Sequence, residues 1–104
     1  LLGPQIQNYL AGANDFITVR VYTQNSSTTS HNMQVYWTTS TDGAMSESKS
    51  CSVNYTLANG SWANINIPVG QIGTWGGFIT RLRLDFTHNA IGTRWLVDSI
   101  AINH

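Results

Sequence analysis

Cysteine occurs once, at Cys51, so no internal disulfide can staple the chain. In Cys51-Ser52-Val53 it stands where a strand residue is buried, and it reads as a small core hydrophobe. Charged residues make up only 10%, five basic against five acidic, with a formal net charge of zero. No clustered Lys and Arg exist to meet phosphates, which argues against nucleic acid as a partner. No apolar run is long enough to span a bilayer, which argues against membrane insertion. A sustained helical period is missing throughout. Catalytic signatures are missing too: there is no Gly-x-Ser-x-Gly elbow, no phosphate-binding glycine loop and no His/Cys cluster for zinc. The three histidines, His31, His88 and His104, are scattered over two turns and the C-terminus, and read as surface polar residues. A glycosidase needs two carboxylates flanking one bond. The acids are Asp15, Asp42, Glu47, Asp85 and Asp98, and of these only Asp85 and Asp98, on consecutive strands, come near each other in this reading. That pair reads as structural, so no enzyme is expected. The chain opens at Leu1 rather than Met and reads as a processed or excised piece.

What is present is Thr, Ser, Asn, Trp and Tyr, a composition of strands and turns. The length of 104 residues fits one domain, 1–104. The organising stretch is Phe78 to Phe86, which alternates with period two. Phe78, Thr80, Leu82, Leu84 and Phe86 share one parity, and Ile79, Arg81, Arg83 and Asp85 the other. Similar alternation runs through 16–23, 31–39, 49–55 and 62–69, and a last strand over 94–102 is apolar on both parities apart from Asp98 and Ser99. That last pattern predicts a strand buried on both sides. Pro4 confines residues 1–10 to a connection with a short strand near Gln5 and Ile6. Asn59-Gly60 is a two-residue hairpin signal. Gly70 to Gly77 holds four glycines around Trp75 and reads as a long bending loop. Six strands with polar connections predict an all-β antiparallel sandwich. Met33, Val35, Trp37, Ile65, Ile67, Leu82, Leu84, Leu96 and Ile100 are its expected core.

Functional expectations rest on the outward parity. Tyr22, Tyr36, Asn64, Arg81, Arg83 and Asp85 point away from the core in this reading. Planar polar groups pair with vicinal hydroxyls, and aromatic rings stack on the C–H face of a pyranose. Trp75, in its glycine-rich loop, is a further candidate platform or else a plug over the end of the sandwich. Asp98 lies between apolar neighbours in Leu-Val-Asp-Ser-Ile. Such a carboxylate needs hydrogen bonds, an Arg such as Arg83, or a metal ion, for which calcium fits its oxygen chemistry.

Three segments carry a family resemblance. Trp75 to Asp85, Trp-Gly-Gly-Phe-Ile-Thr-Arg-Leu-Arg-Leu-Asp, resembles the Trp-x-Gly-x-Ile-x-x-Leu-Arg-Leu-Asp segment of galactose-binding-like β-jelly-roll accessory modules in secreted bacterial polysaccharide-degrading enzymes. Leu96-Val-Asp-Ser-Ile-Ala-Ile is similar to their closing strand, and Tyr36 to Lys49 to their aromatic-Thr-Thr … Ser-Glu-x-Lys segment. The resemblance implies a jelly roll, an extracellular location and carbohydrate binding without catalysis, with a polysaccharide as partner. The alternative is a structural spacer or interaction domain with no sugar site. The chain departs from the family at Asp85-Phe86, where Asp-Pro is usual, and in lacking strands upstream of Leu2-Gly3-Pro4. A missing strand leaves an edge open to oligomerisation or strand exchange.

Overall fold

The computed structural model describes residues 2–24, 30–86 and 94–103. Within them lie seven strands: β1 Leu2–Leu10, β2 Phe16–Gln24, β3 Ser30–Thr39, β4 Ser50–Thr56, β5 Ser61–Ile67, β6 Phe78–Phe86 and β7 Arg94–Asn103. Single 3-10 turns at Glu47–Lys49 and Val69–Gln71 are the only helical elements among the described residues. All strand pairs are antiparallel. They form a four-stranded sheet ordered β1-β6-β3-β4 and a three-stranded sheet ordered β5-β2-β7. The chain is an all-β antiparallel sandwich.

The alternation in β2 explains how the sheets close on each other. Ile17, Val19 and Val21 are fully buried, while Thr18, Arg20 and Tyr22 between them are not. Met33, Val35 and Trp37 of β3 and Leu82 and Leu84 of β6 face them across the sandwich as one buried cluster with Ile65 and Ile67. Cys51 lies in that cluster as a free, buried thiol, with its pKa raised by burial. Burying so many large apolar side chains at about 25 cal/mol per Å² is the principal force holding the sheets together.

Two β-bulges alter the predicted facing. In β6 the register steps from Thr38↔Arg81 to Thr39↔Ile79, leaving Thr80 as an extra residue. A bulge reverses parity. Ile79, expected outside, is therefore completely buried, and Phe78, expected in the core, is 45% exposed. In β7 the register steps from Arg20↔Ser99 to Val21↔Val97, leaving Asp98 extra. Val97 and Ile100 consequently pack on the core while Leu96 turns outward and is 45% exposed, contrary to its expected burial. Nor is β7 buried on both sides: it is an edge strand, half-buried on its inner face only.

Other expectations change as well. Residues 2–10 form a full edge strand rather than a short one, with register shifts on either side of Gln5. An edge tolerates Pro4, whose missing N–H is needed by no central ladder. Asn59-Gly60 does not close a hairpin. β4 and β5 belong to different sheets, so the Ala58–Ser61 turn, with Gly60 at φ 79°, is a corner between them. His31, expected on the surface, is buried with its ring 5.5 Å from Tyr55. His88, His104 and the expected 88–93 turn lie outside the described residues, as does most of the 25–31 loop. Among the described residues no helix is long and apolar enough to cross a membrane.

Candidate functional site

The two outer faces of a sandwich point away from each other, and the expected site residues divide between them. Tyr36, Arg81, Arg83 and Asp85 lie on the four-stranded sheet, whereas Tyr22 and Asn64 lie on the three-stranded one. The structure does not bring the two groups together.

On the four-stranded sheet the polar groups satisfy one another. Tyr36 and Arg83 are cross-strand partners, and the Arg83 guanidinium lies 4.8 Å from the ring centroid. The Tyr36 hydroxyl donates to Glu47 Oε1 at 2.6 Å. Gln34 Nε2 donates to Glu47 Oε2 and to Ser50 Oγ, each at 3.0 Å. Arg83 grips Asp85 with two bonds, Nε to Oδ1 at 3.0 Å and Nη2 to Oδ2 at 2.6 Å. The bond from Tyr36, then that from Gln34, holds the Glu47 carboxyl below its ordinary range, and the same bond raises the Tyr36 phenol. Arg83 likewise lowers Asp85. Tyr36 is only 9% exposed, so its ring is not an open stacking surface. Arg81 is exposed, opposite Thr38 and Gln5.

Trp75 is not an exposed platform either. It is 6% exposed and meets Trp37 edge-on, centroids 5.0 Å apart at 89°. Its Nε1 donates to buried Asp15 Oδ2 at 3.0 Å, an oxygen that also accepts from Gly12 N at 2.7 Å. The loop carrying it folds down onto residues 12–15 through Gly70. A Cβ there would stand 2.6 Å from the Ala13 carbonyl oxygen, so only glycine permits the close approach. Trp75 is the plug over the end of the sandwich, held there by a charge-assisted hydrogen bond.

The outer face of the three-stranded sheet is the open one. Register places Trp62 of β5, Tyr22 of β2 and Leu96 of β7 side by side. Trp62 is 42% exposed, with its ring 5.3 Å from that of Tyr22 and the Arg20 guanidinium 5.1 Å from its centroid. The next residues outward are Asn64, Arg20 and Ser99, in register, with Asp98 pushed out beside them by the bulge. Asp98 is exposed, and its partner is Arg20, Nε to Oδ2 at 3.6 Å, rather than Arg83. Among the described residues no three His, Cys, Asp or Glu side chains are grouped to hold a metal ion. Trp62 is the residue the sequence reading passed over. Its parity was the available signal, since it shares the outward face of 62–69 with Asn64 and Asn66.

Comparison with protein-family models, with curated proteins and with solved structures finds no match to this chain.

Proposed function

We propose that the chain is a non-catalytic carbohydrate-binding module, and that its sugar site lies on the outer face of the three-stranded sheet. The observation that carries this reading is the exposed Trp62 ring beside Tyr22, with the amide of Asn64 two residues along the same strand face. An exposed indole supported from one side by a second ring offers a flat apolar surface to the C–H face of a pyranose. Among the described residues the Asn64 amide has no hydrogen-bond partner, and the Arg20 guanidinium, paired with Asp98 at 3.6 Å and resting 5.1 Å from the Trp62 ring centroid, makes no hydrogen bond, so both keep N–H groups for hydroxyls. Zero net charge suits a neutral polymer.

The galactose-binding-like jelly roll belongs to the same proposal. In support, successive strands change sheet at every connection except β3 to β4. Such a module works outside the cell, where it concentrates a linked enzyme or surface protein on its polysaccharide by avidity. The spacer reading draws on a different observation, the self-satisfied Tyr36–Glu47–Arg83–Asp85 network, which leaves that face with little to offer a ligand.

Calorimetry and pull-down against a panel of soluble and insoluble β-glycans decide between them. Carbohydrate binding predicts micromolar to millimolar affinity for at least one polymer. It also predicts that Trp62→Ala abolishes that binding with little change in melting temperature. Absence of binding to every polymer, with the wild-type domain folded, leaves the spacer in its place.

A further inference from the structure

Resting on the carbohydrate reading, the geometry points to a specific orientation: we infer that the glycan runs across the three strands, perpendicular to them, and that the site spans two to three consecutive sugars. The outer face is laid out in rows by strand register. The first is Trp62–Tyr22–Leu96, the second Asn64–Arg20–Ser99 with Asp98, and the third Asn66–Thr18–Ala101. The first row is apolar from one edge of the sheet to the other, and both its ends are exposed, Trp62 at 42% and Leu96 at 45%. Adjacent strands lie about 4.8 Å apart, so this stripe is about 10 Å long between its outer Cα atoms, plus side-chain reach at each end. That is room for two to three pyranose rings laid end to end.

The second row supplies what the edge of such a chain needs. Asn64 offers a donor and an acceptor, Arg20 its terminal N–H groups, and Asp98 a carboxylate. Arg20 and Asp98 approach through one nitrogen and one oxygen, at 3.6 Å, and the guanidinium also rests on the Trp62 ring, which leaves its outer N–H groups and the second carboxylate oxygen for hydroxyls. Rows are two residues apart, about 6.7 Å, so hydroxyls at the rim of a ring lying on the first row point at the second.

A ligand running along the strands would instead need the third row. That row is already occupied with itself. Thr18 Oγ1 donates to Asn66 Oδ1 at 2.8 Å and accepts from Asn103 Nδ2 at 2.8 Å, and Ala101 brings no polar group. Covering it would break those bonds or bury them without gain. The axis of complementarity is therefore transverse.

Oligosaccharides of β-1,4-linked glucose, xylose and mannose, from one to six units, titrated into the intact chain, test this. Affinity should climb from mono- to trisaccharide and then level off. Leu96→Ala should weaken the trisaccharide by about threefold to tenfold, the range of one lost ring contact, and leave the monosaccharide unchanged. Asn64→Ala should weaken both, and Asn66→Ala neither. A continued rise in affinity from tri- to hexasaccharide, or a loss on Asn66→Ala equal to that on Asn64→Ala, overturns the transverse path while leaving the sugar site standing. Lack of binding by all lengths, or unchanged binding in Trp62→Ala, instead sinks the carbohydrate reading on which it rests.

Discussion

Tyr36 and Arg83 face each other in register across β3 and β6, and the guanidinium covers the ring at 4.8 Å while Glu47 takes the hydroxyl at 2.6 Å. The tyrosine is thus an outward residue without an outward surface. Tyr36→Ala removes a cation–π contact and a hydrogen bond to a charged group, and should destabilise by about 2–4 kcal/mol. Chemical denaturation reads the loss directly. Sugar affinity measured below the transition should be unchanged, since Tyr36 lies on the sheet opposite Trp62.

The same network predicts the acid limb of the stability curve. Glu47 and Asp85 are both held below their ordinary values, 4.5 and 3.8, so the folded state binds their protons less readily than the unfolded chain. Their contribution is complete above those unfolded values and is lost as pH falls through the lower folded ones. Melting temperature should therefore drop as pH is lowered below 4.5. Glu47→Gln should flatten that drop, and an unaltered acid slope in the variant would remove Glu47 from the account.

Leu84 and Leu96 share a parity with the core in the bare sequence but not in the fold. Leu84 is 1% exposed and Leu96 is 45% exposed. Leu84→Ala should cost about 2–5 kcal/mol through lost transfer energy and a cavity. Leu96→Ala should cost under about 1 kcal/mol, as exposed substitutions do. Equal losses in equilibrium unfolding would deny the bulge at Asp98.

Lys49 is a buried cation with a definite task. Its ammonium group takes the carbonyls of Asp42 and Ala44 and the Asp42 carboxylate, the last at 3.1 Å, and so gathers the 40–46 loop beneath β3. Lys49→Met keeps the stem but leaves both carbonyls without that donor. It should cost about 1–3 kcal/mol. Limited proteolysis should then cut within 40–46 faster than in the wild-type chain.

Strand existence was readable where period two runs unbroken, as in Ile17-Thr18-Val19-Arg20-Val21, and was underestimated over 2–10, where register shifts interrupt it. The facing of β6 and β7 was not, because the extra residues Thr80 and Asp98 are set by pairing with Thr38 and Arg20 on distant strands. Nothing local distinguishes them from their neighbours. Asn59-Gly60 signalled a tight turn correctly, yet a turn motif does not say whether its flanking strands stay in one sheet. The site suffered for the same reason. Outward parity puts Tyr22 and Tyr36 in one class, and only the sheet order separates them by the thickness of the sandwich. Trp75 looked like a platform because its anchor, Asp15, lies 60 residues away in sequence.

Cys51 turns the domain into its own clock. The thiolate is the reacting species, and burial in β4, an edge strand, both shields the sulfur and raises its pKa. A thiol-specific reagent can modify it only during excursions that lift β4 away from β3. Because no second sulfhydryl exists to confuse the signal, the modification rate of the natural chain, followed against denaturant, times the opening of that edge in isolation. Rates that track global unfolding would mean β4 parts only when the whole sandwich does; rates well above it would mark β4 as the flap by which the core first admits water.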